Sequence, residues 1–275
     1  MLEPDRNYQG KRMTLKYNTT KDDNYLARTS DCLLTLPPLL AGHADIADQA
    51  WFDSFRTRAV LPSAQAYQGN HRLGFFYQWL WQQLIVHHPD YTLVAEELQL
   101  QHNKQTLGAI DFLVKNKISG DLEHWEVAIK FYLACGQSWP GPNAIDNLDK
   151  KASRMLDHQL LMSQHPAYEN QFAAKYGTPK VRRLIMQGRL FYPCHSSDIG
   201  SAIALNPNVA TGKWCYSAQA GKLNLRAIGK PDWIAPPTFE QLEDNPPLSQ
   251  VTHPTMAVAP DNQIWFVMPE HWPNV

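Results

Sequence analysis

The chain has 275 residues, 44 % of them apolar and 19 % charged, with a formal net charge of −1. Such a balance excludes a disordered chain and excludes capture of nucleic acid by overall positive charge, so contact with a polyanion has to come from a local patch of Lys and Arg. Four cysteines, Cys32, Cys135, Cys194 and Cys215, stand far apart without a CxxC pair, which argues against a zinc knuckle or a disulfide scaffold and for a reduced, cytoplasmic protein.

Residues 1–24 are polar and lack an apolar period, so a flexible N-terminal arm is expected there, with no leader-like run of basic and then apolar residues. The stretch 25–70 reads as a packing segment: Asp31 is a candidate cap, Leu33, Leu34 and Leu36 are apolar, and Pro37-Pro38 end any helix. From His71 the apolar positions 73, 76, 77, 80 and 84 recur at helical spacing up to Pro89, which predicts one buried helix. Its nearly uncharged part is too short and too rich in Gln to span a membrane. His87-His88 at its end lacks the Cys or acidic partners of a zinc site and reads as a capping or surface pair.

Three strand-like runs follow, Tyr91 to Gln101, Gln105 to Val114 and Glu123 to Leu133, joined by connections of hairpin length, so an antiparallel meander is predicted. After Pro140-Gly141-Pro142, Asn143 is the expected cap of a helix reaching about Ser163, with Ile145, Leu148, Ala152, Met155, Leu156 and Leu160 on one face. Leu184 to Tyr192 is the next strand, closed by Pro193. Residues 194–275 shift towards Trp and Pro and predict a Trp-rich β extension, with Trp214, Trp233, Trp265 and Trp272 read as core packing rather than as base-stacking groups. The overall class is α/β: helix, three-stranded meander, helix, strand, then the β-rich extension.

Alternation across a strand places Gly108, Ile110, Phe112 and Val114 on one apolar face and Asp111 on the other. In the next strand Trp125, Val127, Ile129, Phe131 and Leu133 oppose His124, Glu126, Ala128, Lys130 and Tyr132. A hairpin turning at Ile118-Ser119 puts Asp111 directly opposite Glu126, about 5 Å apart at Cβ. Two carboxylates so placed repel unless a cation neutralises them, and hard oxygen ligands, with the main-chain carbonyl of Val127 as a third, suit Mg²⁺ or Mn²⁺. Lys130, on the same face as Glu126, is the candidate for stabilising developing negative charge. A D…E-x-x-x-K spacing by itself occurs in many unrelated chains, where the acids simply face solvent; the apolar opposite faces and the register are what single this one out.

GAIDFLV followed by HWEVAIKFYL, in this order of elements, resembles the PD-(D/E)XK restriction-endonuclease-like nuclease superfamily over about residues 71–193. Arg72-Leu73-Gly74, the run Trp125 to Leu133, Arg154-Met155, Gly188 to Pro193 and Lys230-Pro231-Asp232-Trp233 also resemble a bacterial domain family of unknown function, DUF1853. The superfamily resemblance implies a metal-dependent nuclease, with Asp111 and Glu126 in its metal-ligand positions, Lys130 as its lysine and DNA as the expected partner. Polar residues near such a site are then Gln78 on the first helix and Lys151 and Gln159 on the second. Lys175, Lys180, Arg182, Arg183 and Arg189 are the densest basic cluster and the candidate patch for a DNA backbone. Two departures stand out: Ala128 occupies the place two residues after the acid where the superfamily has Lys, and the first helix carries no acid. They motivate an alternative of another class, an inert nuclease-like domain that binds nucleic acid or a partner protein.

Overall fold

Residues 25–62, 67–194 and 203–273 are described by a computed structural model. The expected N-terminal arm lies outside these residues. Three helices, α1 (Tyr25–Thr35), α2 (Gln49–Arg58) and α3 (Leu73–His87), precede the strands β1 (Tyr91–His102), β2 (Gln105–Asn116) and β3 (Leu122–Leu133). Helix α4 (Leu148–Arg154) leads through short helical pieces to β4 (Val181–Pro193), and β5 (Thr211–Tyr216), β6 (Arg226–Ile228), β7 (Thr255–Val258) and β8 (Ile264–Met268) are the remaining strands among the described residues. All eight strands form one mixed sheet in the order β1-β2-β3-β4-β5-β8-β7-β6. The strands of the Trp-rich region thus extend the sheet of the preceding ones, and Trp214, Trp233, Trp265 and Trp272 are all buried.

The meander forms as expected, because period-2 apolar runs bounded by polar turns have nowhere else to bury one face. Its register is the one the turn position predicts: Phe112 pairs with Trp125, Leu113 with His124 and Val114 with Glu123. β3 then pairs in parallel with β4 along its whole length, from Glu123↔Val181 to Leu133↔Phe191. One sheet face, carrying Phe112, Val114, Trp125, Val127 and Ile129, packs under α1, α2 and α3. The opposite face, with Ala128, Tyr132, Leu184 and Met186, packs on Leu148, Ala152 and Met155 of the α4 region.

Helix α3 buries Phe76, Tyr77, Leu80, Trp81, Leu84 and Ile85, a stripe at helical spacing. Tyr77 donates to the buried Gln187 of β4 at 2.7 Å, and Gln187 donates to the carbonyls of Leu33 and Leu36, so one polar chain ties α3, β4 and the end of α1. The His88 ring accepts from the Asp90 N–H and faces the Phe55 carbonyl at 3.0 Å, a structural use that closes the helix.

Four expectations need correction. Helix α1 starts at Tyr25, so Asp31 lies inside it and does not cap it. Asn147, not Asn143, caps α4, accepting from the Asp149 N–H at 3.0 Å, and Ile145 is 79 % exposed. The turn at 141–147 closes on its own backbone through Gly141 and Asp146, which leaves the real cap four residues later. Nor does the helix continue regularly to Ser163: it widens into a π-turn over Met155–Gln159 and breaks into short helical pieces. Ile110, finally, packs with Leu100, Leu113 and Met162 and not with Phe112 and Val114, so the alternation of β2 is interrupted at Asp111, where its pairing with β3 ends.

Candidate functional site

Beyond Phe112↔Trp125 the β2–β3 ladder stops, and from Glu126 onwards β3 has, among the described residues, a strand partner only on its β4 side. Side chains take over the pairing at the split. Asp111 Oδ2 accepts from the Val127 N–H at 2.9 Å, and Glu126 Oε1 accepts from the Asp111 N–H at 3.3 Å. The two carboxylates predicted to face each other are each bonded to a main-chain N–H of the opposite strand, just past the end of the ladder. Glu126 is buried and Asp111 is partly open to solvent.

Two neighbours finish the setting of Glu126. His124 lies two residues back on the same face, with Nε2 2.8 Å from Glu126 Oε1 and Nδ1 2.9 Å from Ser163 Oγ. Gln159, swung in by the π-turn, donates to Glu126 Oε2 and to the Ala109 carbonyl, both at 3.4 Å. A π-turn at such a place is a common way to re-aim a side chain without ending a helix.

Burial dominates the electrostatics. It raises Asp111 well above the ordinary carboxylate range, with the Glu126 charge adding to the effect and the Val127 N–H opposing it. It raises Glu126 to about 7 and lowers His124 to about 4. Lys151 on α4 is lowered by burial and by the neighbouring Lys130, while Asp146 and Asp111 raise it. Lys151 is the ammonium that acts on both carboxylates, lowering Asp111 and Glu126.

Lys130 has a different partner. Its Nζ donates to Asp146 Oδ2 at 2.7 Å, so the lysine one pleat beyond Glu126 is tied to the turn before α4 and not to the carboxylate pair. Both lysines nevertheless line one cavity of about 340 Å³ at the split in the sheet, walled by Arg72, Phe75 and Gln78 from the start of α3, Val127 to Lys130 of β3, and Lys151. Val127 therefore joins the cavity wall to the Asp111 carboxylate. Gln78 lines the cavity while donating to Glu97 of β1 at 3.4 Å.

The basic cluster does not assemble into one face. Arg182 pairs with Asp45 and Arg183 with Glu123, and as successive strand residues they point to opposite sides of the sheet. Lys180 pairs with Asp121, Arg189 donates to the Thr211 carbonyl at 2.8 Å, and Lys175 stacks over Tyr176.

Sequence reasoning missed Arg72, Asp146 and Ser163 as parts of the site. Arg72 had a signal, being a cation at the start of a buried helix. Asp146 and Ser163 had none, because their roles depend on an irregular turn and on a broken helix. Among the described residues no three His, Cys, Asp or Glu side chains stand close enough to hold a metal ion on their own. The donor set still suits a hard cation. Two neighbouring carboxylates kept from ionising freely leave the remaining positions to water and substrate oxygens, as Mg²⁺ prefers. No helix among the described residues is long and apolar enough to cross a membrane.

The model of a domain of unknown function, DUF1853, matches residues 27–268, and the chain belongs to that family. No curated protein and no solved structure matches it.

Proposed function

We propose that this DUF1853 protein is a metal-dependent phosphodiesterase of the PD-(D/E)XK type that acts on DNA, with Asp111, Glu126 and the Val127 carbonyl as the seat of Mg²⁺ or Mn²⁺ and Lys151 as its lysine. The observation that carries this reading is the pair of acids, Asp111 and Glu126, each bonded to a main-chain N–H of the opposite strand beside a cavity lined by Arg72, Lys130 and Lys151. Neighbouring acids that cannot both ionise unaided favour a cation between them, and a cavity with three cationic side chains favours a polyanion.

Bound there, the ion supplies Lewis-acid polarisation of the phosphodiester and a more acidic water. The chain supplies the rest. Arg72 and Lys151 position phosphate oxygens from the two layers that flank the sheet. Lys151 also offsets the charge that develops at the phosphorus. His124, anchored on Ser163, and Gln159 hold the Glu126 carboxyl in one orientation, as outer partners of metal ligands do. Lys130 acts through its ion pair, fixing Asp146 and the turn that starts α4.

The test is cleavage of circular duplex and single-stranded DNA with Mg²⁺ or Mn²⁺, comparing the protein with Asp111→Asn, which keeps an acceptor for the Val127 N–H. We expect a loss of about 100-fold or more in the variant at an unchanged melting temperature. Equal rates in the two proteins overturn the assignment. Salt-dependent DNA binding without cleavage or metal uptake moves the chain to the inert, nucleic-acid-binding class, a reading favoured by Lys130 being engaged with Asp146.

A further inference from the structure

A second cavity, of about 240 Å³, shares a wall with the first. Phe75 and Gln78 line both. Where the first cavity is cationic, the second is aromatic and acidic: Tyr67, Trp79, Glu96 and Glu97 surround it together with Gln82. Phe75 is a large apolar side chain 42 % exposed at the junction. Trp79 has the Tyr67 ring tilted against it at 5.2 Å and the Phe76 ring stacked on it at 5.9 Å, which fixes its ring as a rigid surface.

The acids of this cavity are held in place. Gln82 donates to both oxygens of Glu96, at 2.9 and 2.7 Å, and Gln78 donates to Glu97. Glu97 has φ +49°, a left-handed conformation that a non-glycine residue adopts at a cost. By the β1–β2 register, with Glu96 opposite Phe112 and Leu98 opposite Ile110, Glu97 lies level with Asp111. The departure from regular strand geometry therefore occurs level with the catalytic candidate, and it presents a carboxylate to the α3 side.

Taking the cationic cavity as the seat of the phosphate, as the proposed function does, we infer that the aromatic cavity is a base-binding subsite for an unpaired nucleotide, selective for bases that carry an exocyclic amino group. Aromatic surfaces stack any base. Glu96 and Glu97 accept hydrogen bonds and repel phosphate, so they favour an amino edge of cytosine, adenine or guanine and leave the two carbonyls of thymine unmatched. The phosphate then lies over Arg72 and Lys151 and the base on Trp79 and Phe75, with Gln78 between them. A base inside a duplex cannot reach such a recess without leaving the stack, so the preferred substrate is single-stranded or locally unpaired.

The experiment is equilibrium binding in chelator, with Asp111→Asn in all arms so that no strand is cut. Probes are short single-stranded dC and dT oligomers and a duplex of matched length. We expect dC to bind about tenfold more tightly than dT, and the duplex to bind most weakly. Phe75→Ala, at an exposed position, and Trp79→Leu should each weaken dC binding by about tenfold or more. Glu97→Gln should equalise dC and dT with its melting temperature unchanged. Duplex binding as tight as dC, or dC binding indifferent to both aromatic variants, overturns the subsite. Cleavage by the unaltered protein that ignores Phe75→Ala retains the nuclease reading while the subsite fails; aromatic-dependent, dC-selective binding with no cleavage under any metal does the reverse.

Discussion

Lys130 and Lys151 line the same cavity and carry the same charge, yet their surroundings assign them different work. Lys130 spends its ammonium on Asp146, in a pair whose members are 27 % and 36 % exposed, so its net contribution to stability is at most about 1 kcal/mol. Lys151 has a depressed pKa, caused first by burial, and lies where its charge is felt by Asp111 and Glu126. Lys151→Met is therefore expected to lower metal-dependent cleavage by about 100-fold or more, the usual effect of removing one charge-stabilising group. Lys130→Met should lower it by less than about tenfold, through loosening of the turn that begins α4. Cleavage rates under identical metal and salt decide between them. A larger loss from Lys130→Met restores the lysine that the linear spacing suggests.

At the scale of elements, the sheet owes its central pairing to one residue without a side chain. Gly188 of β4 lies against Lys130 of β3, has φ +146°, and a Cβ added there would stand 1.7 Å from the Lys130 carbonyl oxygen, a backbone atom that cannot swing aside. Gly188→Ala is expected to destabilise the protein by roughly 3 kcal/mol or more, read as a lowered midpoint in urea; an unchanged midpoint contradicts this account of the β3–β4 contact. The strands themselves were legible because period-2 patterning and a single turn position determine a register, and that register placed Asp111 against Glu126. The α4 region was not. Asn143 and Asn147 are both plausible caps, and only tertiary closure of the turn through Gly141, Asp146 and the Trp139 carbonyl decides for the second. The π-turn at Met155–Gln159 and the left-handed Glu97 leave no periodic trace either, although two adjacent acids in the middle of the strand do mark Glu96-Glu97 as a break in alternation. The resemblance to DUF1853 extended over the chain in the way the family match does, but it brought no chemistry with it.

For the whole molecule, the cost of the site is the burial of ionisable groups, and two of them pull on stability in opposite directions. Glu126, raised to about 7, binds a proton in the folded state that the unfolded chain releases near 4.5; its stabilising contribution is complete below 4.5 and is lost as pH rises through about 7. His124, lowered to about 4, contributes stability that is complete above 6.5 and is lost as pH falls towards about 4. Between pH 5 and 7 the two trends oppose each other, so removing one exposes the other. In Glu126→Gln the amide keeps a hydrogen-bonding group beside His124 and Gln159 but no longer titrates. Relative to the unaltered protein in chelator, this variant should lose about 2 kcal/mol on going from pH 7 to pH 5. That corresponds to a difference in melting temperature growing by roughly 4–8 °C. A difference that stays constant with pH means that Glu126 ionises normally, and that the buried pair holds no proton for a metal ion to displace. Adding Mg²⁺ at pH 7.5 extends the same measurement. It should raise the melting temperature of the unaltered protein and leave that of Glu126→Gln nearly where it was, because a cation that exchanges for the proton of Glu126 stabilises only the chain that has the carboxylate to bind it.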